Sequence, residues 1–295
     1  DSSDPDELDL LWGHTGGGGG NFGIVTRFFF RDLPAAPAEA HVFFHAFDWS
    51  SLDQASFRRL MQNYGNFMAE NSGVDSPFKG LFPGLVIPQA DGQIGLFGQY
   101  SGDQPELLQQ YAAAIQAGLP APSARIARQV HHRMLAQSSE FSTMPWLQAT
   151  ENVSGGNTPM RAKYKSAYMI EPFPEEHIEV MWEYFAKPSI VLSSAMVGID
   201  GYGCQINAVD PAATAVAQRS SILKLQYQAY WTDPSEDDAN LEWIRSFYTA
   251  LYGEQGPMPD STMDGCYVNY PDVDLVNWPE LYYKDGYARL QRVKA

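Results

Sequence analysis

The 295-residue chain carries a formal charge of −16, and 44% of its residues are hydrophobic and 13% aromatic. That composition supports a buried core and excludes a chain disordered throughout, while the uniform negative charge argues against nucleic acid and anionic membrane surfaces as partners. Cys204 and Cys266 stand in no CxxC or Cys/His spacing, so neither a disulfide framework nor a zinc or other metal site is expected, and no apolar run is long enough to span a bilayer.

The chain opens on "DSSDPDELDLLWGHT", in which Asp4 suits an N-cap, Pro5 the first helical position and Glu7 a capping box. Leu8, Leu11 and Trp12 then share one face of an amphipathic helix. A helix so close to the first residue, and a last segment "YARLQRVKA" with no terminal signal, are expected of an excerpt from a longer polypeptide. No signal peptide is visible, and localisation is left open.

Next comes "GGGGGNFGIVTRFFF". Gly18, Gly20 and Gly23 satisfy G-x-G-x-x-G, but the dinucleotide fingerprint requires strand, loop, then helix, and here the order is helix, glycines, then strand-formers over 23–31. No Gly-Lys-Ser/Thr follows, which removes the phosphate-loop reading. Two readings stay open: tight backbone packing, or close approach to a ligand.

Further strands are expected at 41–48, 81–87, 93–100, 163–170, 190–199, 203–209 and 222–231, and helices at 51–70, 105–117, 174–187 and 238–253. The clearest strand is the last, where Leu223, Leu225, Tyr227, Ala229 and Trp231 alternate with Lys224, Gln226, Gln228 and Tyr230. Strands in groups with helices between them predict an α+β domain, an antiparallel sheet flanked by helices, over a βαβ repeat. The Ser/Gly-rich stretch 138–158 is expected to be a loop. His131-His132 lacks an acidic or histidine partner at helical spacing and reads as a surface or capping pair; His14 suits either a structural role or contact with an anion. No G-x-S-x-G elbow supports a hydrolase.

The C-terminal stretch is the most distinctive: "CYVNYPDVDL" at 266–275, then "WPELYYKDGYARLQRVKA". Read alone it is an aromatic-rich loop closing the domain. Together, "DLLWGHTGGGGGNFGIVTRF" and "YVNYPDVDL…W…YY…YARLQRVKA" resemble two signature segments of the berberine-bridge-enzyme-like flavin oxidases, within the vanillyl-alcohol-oxidase (PCMH-type) flavoproteins. The segment "GYGCQINAVDPAATAVAQR" is similar to a third, with Cys204 where a second glycine is usual. In "DPAATA" and "NYPD" the chain resembles the bacterial secondary-metabolism subgroup that includes glycopeptide-antibiotic hexose oxidases.

The resemblance implies a layout and a chemistry. Residues 1–35 would end a PCMH-type FAD-binding domain, 36–260 would form the substrate domain on a large antiparallel sheet, and 261–295 would return to the flavin domain. FAD is expected as cofactor, in many members tethered through a histidine and a cysteine of an N-terminal portion that this chain does not contain; that portion would be a partner. Gly19, Gly20, Asn21, Gly23, Ile24 and Val25, with Tyr267 and Asn269, would reach the flavin. Tyr267 and Asn269 would share one face of an extended segment. Tyr270 would be the general base in oxidation of an alcohol, with hydride passing to flavin N5 and molecular oxygen reduced to hydrogen peroxide. Tyr202 and Asp200 are candidate helpers, and Gln226, Gln228 and Lys224 candidate contacts for a carbohydrate or glycosylated natural product. The alternatives are an amine- or alkaloid-type oxidase with oxidative ring closure, and a catalytically inert ligand-binding relative.

Overall fold

The computed structural model describes residues 3–90, 92–123, 141–153 and 160–295. Its centre is one open antiparallel sheet of seven strands in the order β4-β1-β3-β2-β6-β7-β5. The strands are β1 (Glu39–Asp48), β2 (Leu81–Pro88), β3 (Gln93–Tyr100), β4 (Ser142–Pro145), β5 (Arg161–Met169), β6 (Ser194–Gly201) and β7 (Leu223–Trp231). The α+β expectation of a large antiparallel sheet flanked by helices holds.

Period-2 alternation gives this sheet two different faces. Phe43, Phe47, Leu85, Ile87, Leu96, Val197, Ile199, Leu225 and Tyr227 are buried against helices on one side. The helices are α2 (Gln54–Asn71), α3 (Glu106–Gln116), α5 (Glu175–Met181) and α6 (Asp237–Tyr252), numbered after α1 (Pro5–His14) and α4 (Trp146–Val153). Asp53 caps α2 by accepting from the Ser56 amide at 2.8 Å, and Phe57, Leu60, Met61, Tyr64 and Met68 follow at helical spacing on its buried face. Hydroxyls carried into this core find strand carbonyls: Tyr64 donates to Ile199 at 3.0 Å and Tyr248 to Ser166 at 2.8 Å.

Strand β5 lies at the edge of the sheet, and the C-terminal segment covers it. Tyr168 donates its amide to Gly265 at 2.8 Å, Asp264 returns one to Tyr168 at 2.9 Å, and the Tyr267 amide reaches Ser166 Oγ at 2.9 Å. An exposed ladder edge is thereby satisfied within the chain. The chain ends in α7 (Trp278–Tyr283) and α8 (Tyr287–Lys294), which sequence periodicity did not single out. Helix α8 packs on α1, with Arg289 ion-paired to Asp9 and its guanidinium 4.1 Å from the Trp12 ring centre.

Several expectations fail for physical reasons. Residues 23–31 form no strand: Phe28, Phe29 and Phe30 are exposed, and among the described residues nothing offers them a ladder. In α1 only Trp12 of the apolar face is buried, whereas Leu8 and Leu11 face outward. Residues 203–209 turn rather than extend, because Gly203 and Cys204 take positive φ and the Cys204 amide donates to Ser72 at 2.6 Å. The 174–187 helix passes into a π-helical turn over Trp182–Ala186. Within 138–158, β4 and α4 stand where a loop was expected; residues 138–140 and 154–158, and His131-His132, lie outside the described residues.

Candidate active site

The face of the sheet opposite the helices is polar across its β6–β7–β5 half. Lys224, Gln226, Gln228 and Tyr230 project from β7, and the register sets Tyr168 beside Lys224, Ser166 beside Gln226, and Tyr164 beside Gln228. On the other flank Asp200 lies beside Lys224 and Gly198 beside Gln226. A Cβ built at Gly198 would touch only Gln228 Nε2, at 3.4 Å, so the floor next to Gln226 is open. The alternation expected for Lys224, Gln226 and Gln228 is therefore present.

The C-terminal segment hangs an aromatic wall over this floor. Residues 267–270 form a turn, closed by the Tyr270 amide donating to the Tyr267 carbonyl at 3.0 Å, rather than the extended run expected. Tyr267 and Asn269 still meet, because Asn269 Nδ2 donates to Tyr267 Oη at 2.8 Å. The Tyr267 and Tyr270 rings pack edge to face at 4.9 Å, and Tyr270 also lies nearly parallel to Tyr164 at 6.0 Å.

Lys224 is the charge at the centre of this group. Its ammonium stands 5.3 Å from the Tyr267 ring centre and 5.6 Å from that of Tyr270, and it pairs with Asp200 at 2.9 Å. Burial pushes the Tyr270 hydroxyl above the ordinary tyrosine value; Lys224 opposes that and Asp200 adds to it. Burial works against the Lys224 charge, yet Asp200 and the two phenols carry its pKa above the ordinary lysine value. The cation able to favour a Tyr270 phenolate is thus Lys224, set among the substrate contacts on sequence grounds, while the Asp200 charge opposes it and pairs with the ammonium.

Tyr202 stands further off. Its hydroxyl donates to the Gln218 carbonyl at 3.0 Å, and its ring meets the edge of Tyr168 at 5.1 Å; Tyr168 in turn meets Tyr267 at 6.2 Å. It belongs to the aromatic row that ends at Tyr270 but reaches it only through two other rings. Burial raises its pKa, with Arg219 opposing. Behind it a cleft of about 170 Å³ is lined by Met68, Phe78, Phe82, Cys204 and Ile206.

The glycine run divides into a packed half and an open half. Its first half is packed: a Cβ at Gly17 would lie 2.4 Å from the Gly13 carbonyl oxygen, and one at Gly18 would lie 2.8 Å from Asn21 Nδ2 and 3.1 Å from Val268. The Gly17 carbonyl accepts from Tyr283 Oη at 3.2 Å and from Asn21 Nδ2 at 2.8 Å. Gly19, Gly20 and Gly23 instead face open space, with nothing within 4 Å of a built Cβ, and Ile24 is 94% exposed, with Val25 also outward. His14 is exposed, its ring edge-on to Phe22 at 5.8 Å. Contact of Gly18 with Val268 brings the oligoglycine turn against the Tyr267–Tyr270 turn.

This arrangement fits the flavin implied by the sequence. Bare, outward backbone at Gly19, Gly20 and Gly23 lets amides approach a planar group without side chains intervening, and the adjoining tyrosine wall borders the polar floor. Among the described residues no group of three or more His, Cys, Asp or Glu side chains is placed to hold a metal ion.

Sequence reasoning missed Tyr164, Ser166 and Tyr168, which border the β7 floor. The available signal was in β5, where these polar residues alternate with Lys163, Lys165 and Ala167. Tyr230, on the polar face of β7, was seen there but not assigned to the site.

Comparison with known proteins agrees with the geometry. The family described as "Berberine and berberine like" matches residues 266–295. The aclacinomycin-N/aclacinomycin-A oxidase of Streptomyces galilaeus is 36% identical over 100% of this chain and 56% of its own length. The hexose oxidase of Chondrus crispus is 33% identical over 99% of this chain and 60% of its own length. Among solved structures, a glycopeptide hexose oxidase complexed with teicoplanin superimposes with a TM-score of 0.84 at 32% identity, covering 100% of this chain and 62% of that one. The chain therefore spans about three fifths of the length of these relatives. From the tyrosine–asparagine turn at its C-terminal end to the glycine run at the other, it belongs to the berberine-bridge-enzyme-like family of FAD-linked oxidases.

Proposed function

We propose that the protein to which this chain belongs is an FAD-dependent oxidase of an alcohol group on a carbohydrate or glycosylated natural product. Residues 1–35 and 261–295 form the flavin side of the site in this reading, and 36–260 the substrate side. The observation that carries it is the placement of Tyr270 beside the Lys224 ammonium, 5.6 Å from the ring centre, over an open floor of amides and hydroxyls. Relatives named as oxidases of a hexose, a glycopeptide and aclacinomycin support the substrate class.

Backbone amides of Gly19, Gly20, Asn21, Gly23, Ile24 and Val25, with Tyr267 and Asn269, hold the cofactor. FAD would supply, when bound, the two-electron acceptor for the substrate carbon, with molecular oxygen as final acceptor and hydrogen peroxide as co-product. Tyr270 takes the substrate hydroxyl proton on Oη. Lys224 favours the phenolate that can do so, and Asp200 holds the ammonium in place while limiting its effect. Gln226 and Gln228 orient the substrate through neighbouring hydroxyls, and Tyr202 supports the aromatic row through Tyr168 and Tyr267. Positioned proton transfer of this kind contributes about 10²–10⁴-fold to rate.

Tyr270→Phe in the full-length, flavin-loaded protein tests the assignment. The rate of flavin reduction by sugar substrate should fall by at least about 10²-fold with flavin content unchanged. A rate within a few-fold of the parent removes Tyr270 as the base.

A further inference from the structure

The hydroxyl and amide groups at the Tyr164 end of the polar floor are linked in one direction. Tyr164 Oη donates to Tyr230 Oη at 2.9 Å, and Tyr230 Oη donates to Gln228 Oε1 at 2.8 Å. A phenol has a single proton. Once Tyr230 commits its own to Gln228, it offers Tyr164 only lone pairs, and the Tyr164 proton is committed in turn. The relay leaves Tyr164 Oη able to accept from a ligand and unable to donate to it. It also fixes the Gln228 amide, turning Nε2 away from Tyr230 to where a Cβ on Gly198 would lie 3.4 Å away.

Geometry places this acceptor beside the reacting position. The Tyr164 ring lies 6.0 Å from that of Tyr270 at an interplanar angle of 20°, and Tyr164 and Gln228 are register partners. A ligand under Tyr270 therefore meets an acceptor at Tyr164 and a donor at Gln228. A sugar hydroxyl matches the first as donor and a neighbouring sugar oxygen the second as acceptor.

We propose that Tyr164 is a specificity-determining residue, its oxygen receiving a hydrogen bond from a hydroxyl next to the one oxidised, so that the site selects a pyranose vicinal diol over the matching deoxy sugar. This rests on the carbohydrate reading of the proposed function. Sites built to hydrogen-bond a substrate hydroxyl reject the analogue lacking it more strongly than apolar pockets reject a change of size, because the protein group is left unpaired. Tyr164→Phe removes the acceptor and keeps the ring against Tyr270 and Tyr230.

The test compares full-length holoenzyme and its Tyr164→Phe variant for equilibrium binding and oxidation of D-glucose and its 2-, 3-, 4- and 6-deoxy analogues. In the parent, one analogue should bind about tenfold or more weaker than glucose. In Tyr164→Phe, glucose should weaken to the level of that analogue, in both dissociation constant and KM, while affinity for that analogue stays within a few-fold. Equal weakening of all five sugars, or unchanged discrimination, overturns the proposal and leaves the carbohydrate reading standing. No binding and no oxidation of any sugar by the parent overturns both.

Discussion

Tyr270 and Asp272 are two positions apart, yet they address opposite faces of the same edge strand. The Tyr270 ring stacks on Tyr164 above the polar floor. The Asp272 carboxylate lies on the helix side, accepting from Lys163 at 2.5 Å and Lys165 at 2.7 Å, the residues that flank Tyr164 along β5. Between them Tyr282 Oη accepts the Asp272 amide at 2.9 Å and donates to the Tyr270 carbonyl at 3.3 Å. The chain crosses the sheet edge at Pro271 and is pinned on both sides.

Asp272 is therefore expected to matter for stability and for the position of Tyr270 together. Lys165 is 3% exposed and the Asp272 side chain 2%, so removal of the carboxylate leaves a buried ammonium with Asp274, at 3.2 Å, as its remaining carboxylate among the described residues. Asp272→Ala should cost about 3 kcal/mol, in the range for breaking a buried pair from one side. Denaturant unfolding of the full-length protein measures it. A loss under about 1 kcal/mol would mean that Asp274 alone satisfies both lysines.

The charges around Tyr270 predict opposite shifts in the pH dependence of turnover. A phenol acting as base is competent when deprotonated, and burial has raised the Tyr270 pKa, so kcat/KM should climb with pH on the alkaline side. Lys224→Met removes the influence that lowers this pKa and should move the rise to higher pH; Asp200→Asn removes one that raises it and should move the rise to lower pH. Profiles that move together, or not at all, would break the link between Lys224, Asp200 and Tyr270.

A second pH effect belongs to stability. Burial holds His177 below the ordinary histidine range, with Glu176 opposing; its Nδ1 has no partner and its ring stands edge-on to Tyr252 at 5.2 Å. The unfolded chain then takes up a proton that the fold resists. Stability from this residue is complete above about pH 6.5 and declines as pH falls through that value toward the lower folded pKa. Urea midpoints of the parent should fall between pH 7.5 and pH 5 by more than those of His177→Leu. Equal falls would assign the acid sensitivity to other groups.

How much of this was legible in the sequence follows from how local each determinant is. Strand β7 could be read because its two faces differ in chemistry and the alternation lies within nine residues. The run at 23–31 has the composition of a strand but no ladder partner among the described residues, and composition does not supply one. Nothing local marks Lys163 and Lys165 as ion-paired; Lys165 is buried and Lys163 half-buried where Asp272, 107 positions beyond Lys165, returns to meet them. Lys224 looked like a ligand contact, and only its placement between two tyrosines from the C-terminal turn gives it an electrostatic role. What depended on pattern was visible, and what depended on the return of the last segment was not, apart from the convergence implied by resemblance.

The divided glycine run allows stability and flavin binding to be separated by single substitutions. At Gly17 a methyl group would strike the Gly13 carbonyl oxygen and the Phe22 ring, at 2.4 and 2.7 Å, in a buried turn. Gly17→Ala should cost about 1–3 kcal/mol, as overpacking does, and should lower thermal stability whether or not flavin is bound. Gly20 has φ +75 and open space, so Gly20→Ala should cost about 1 kcal/mol through backbone strain alone. Gly19 combines open space with a φ outside the strained range, and Gly19→Ala should leave the unfolding midpoint of flavin-free protein unchanged. If these amides lie against FAD, Gly19→Ala will nonetheless lower the flavin retained per protein molecule, read from the ratio of flavin to protein absorbance. Full retention together with unchanged stability would show that the open half of the run touches nothing, and the assignment of Gly19, Gly20 and Gly23 to the cofactor would have to be given up.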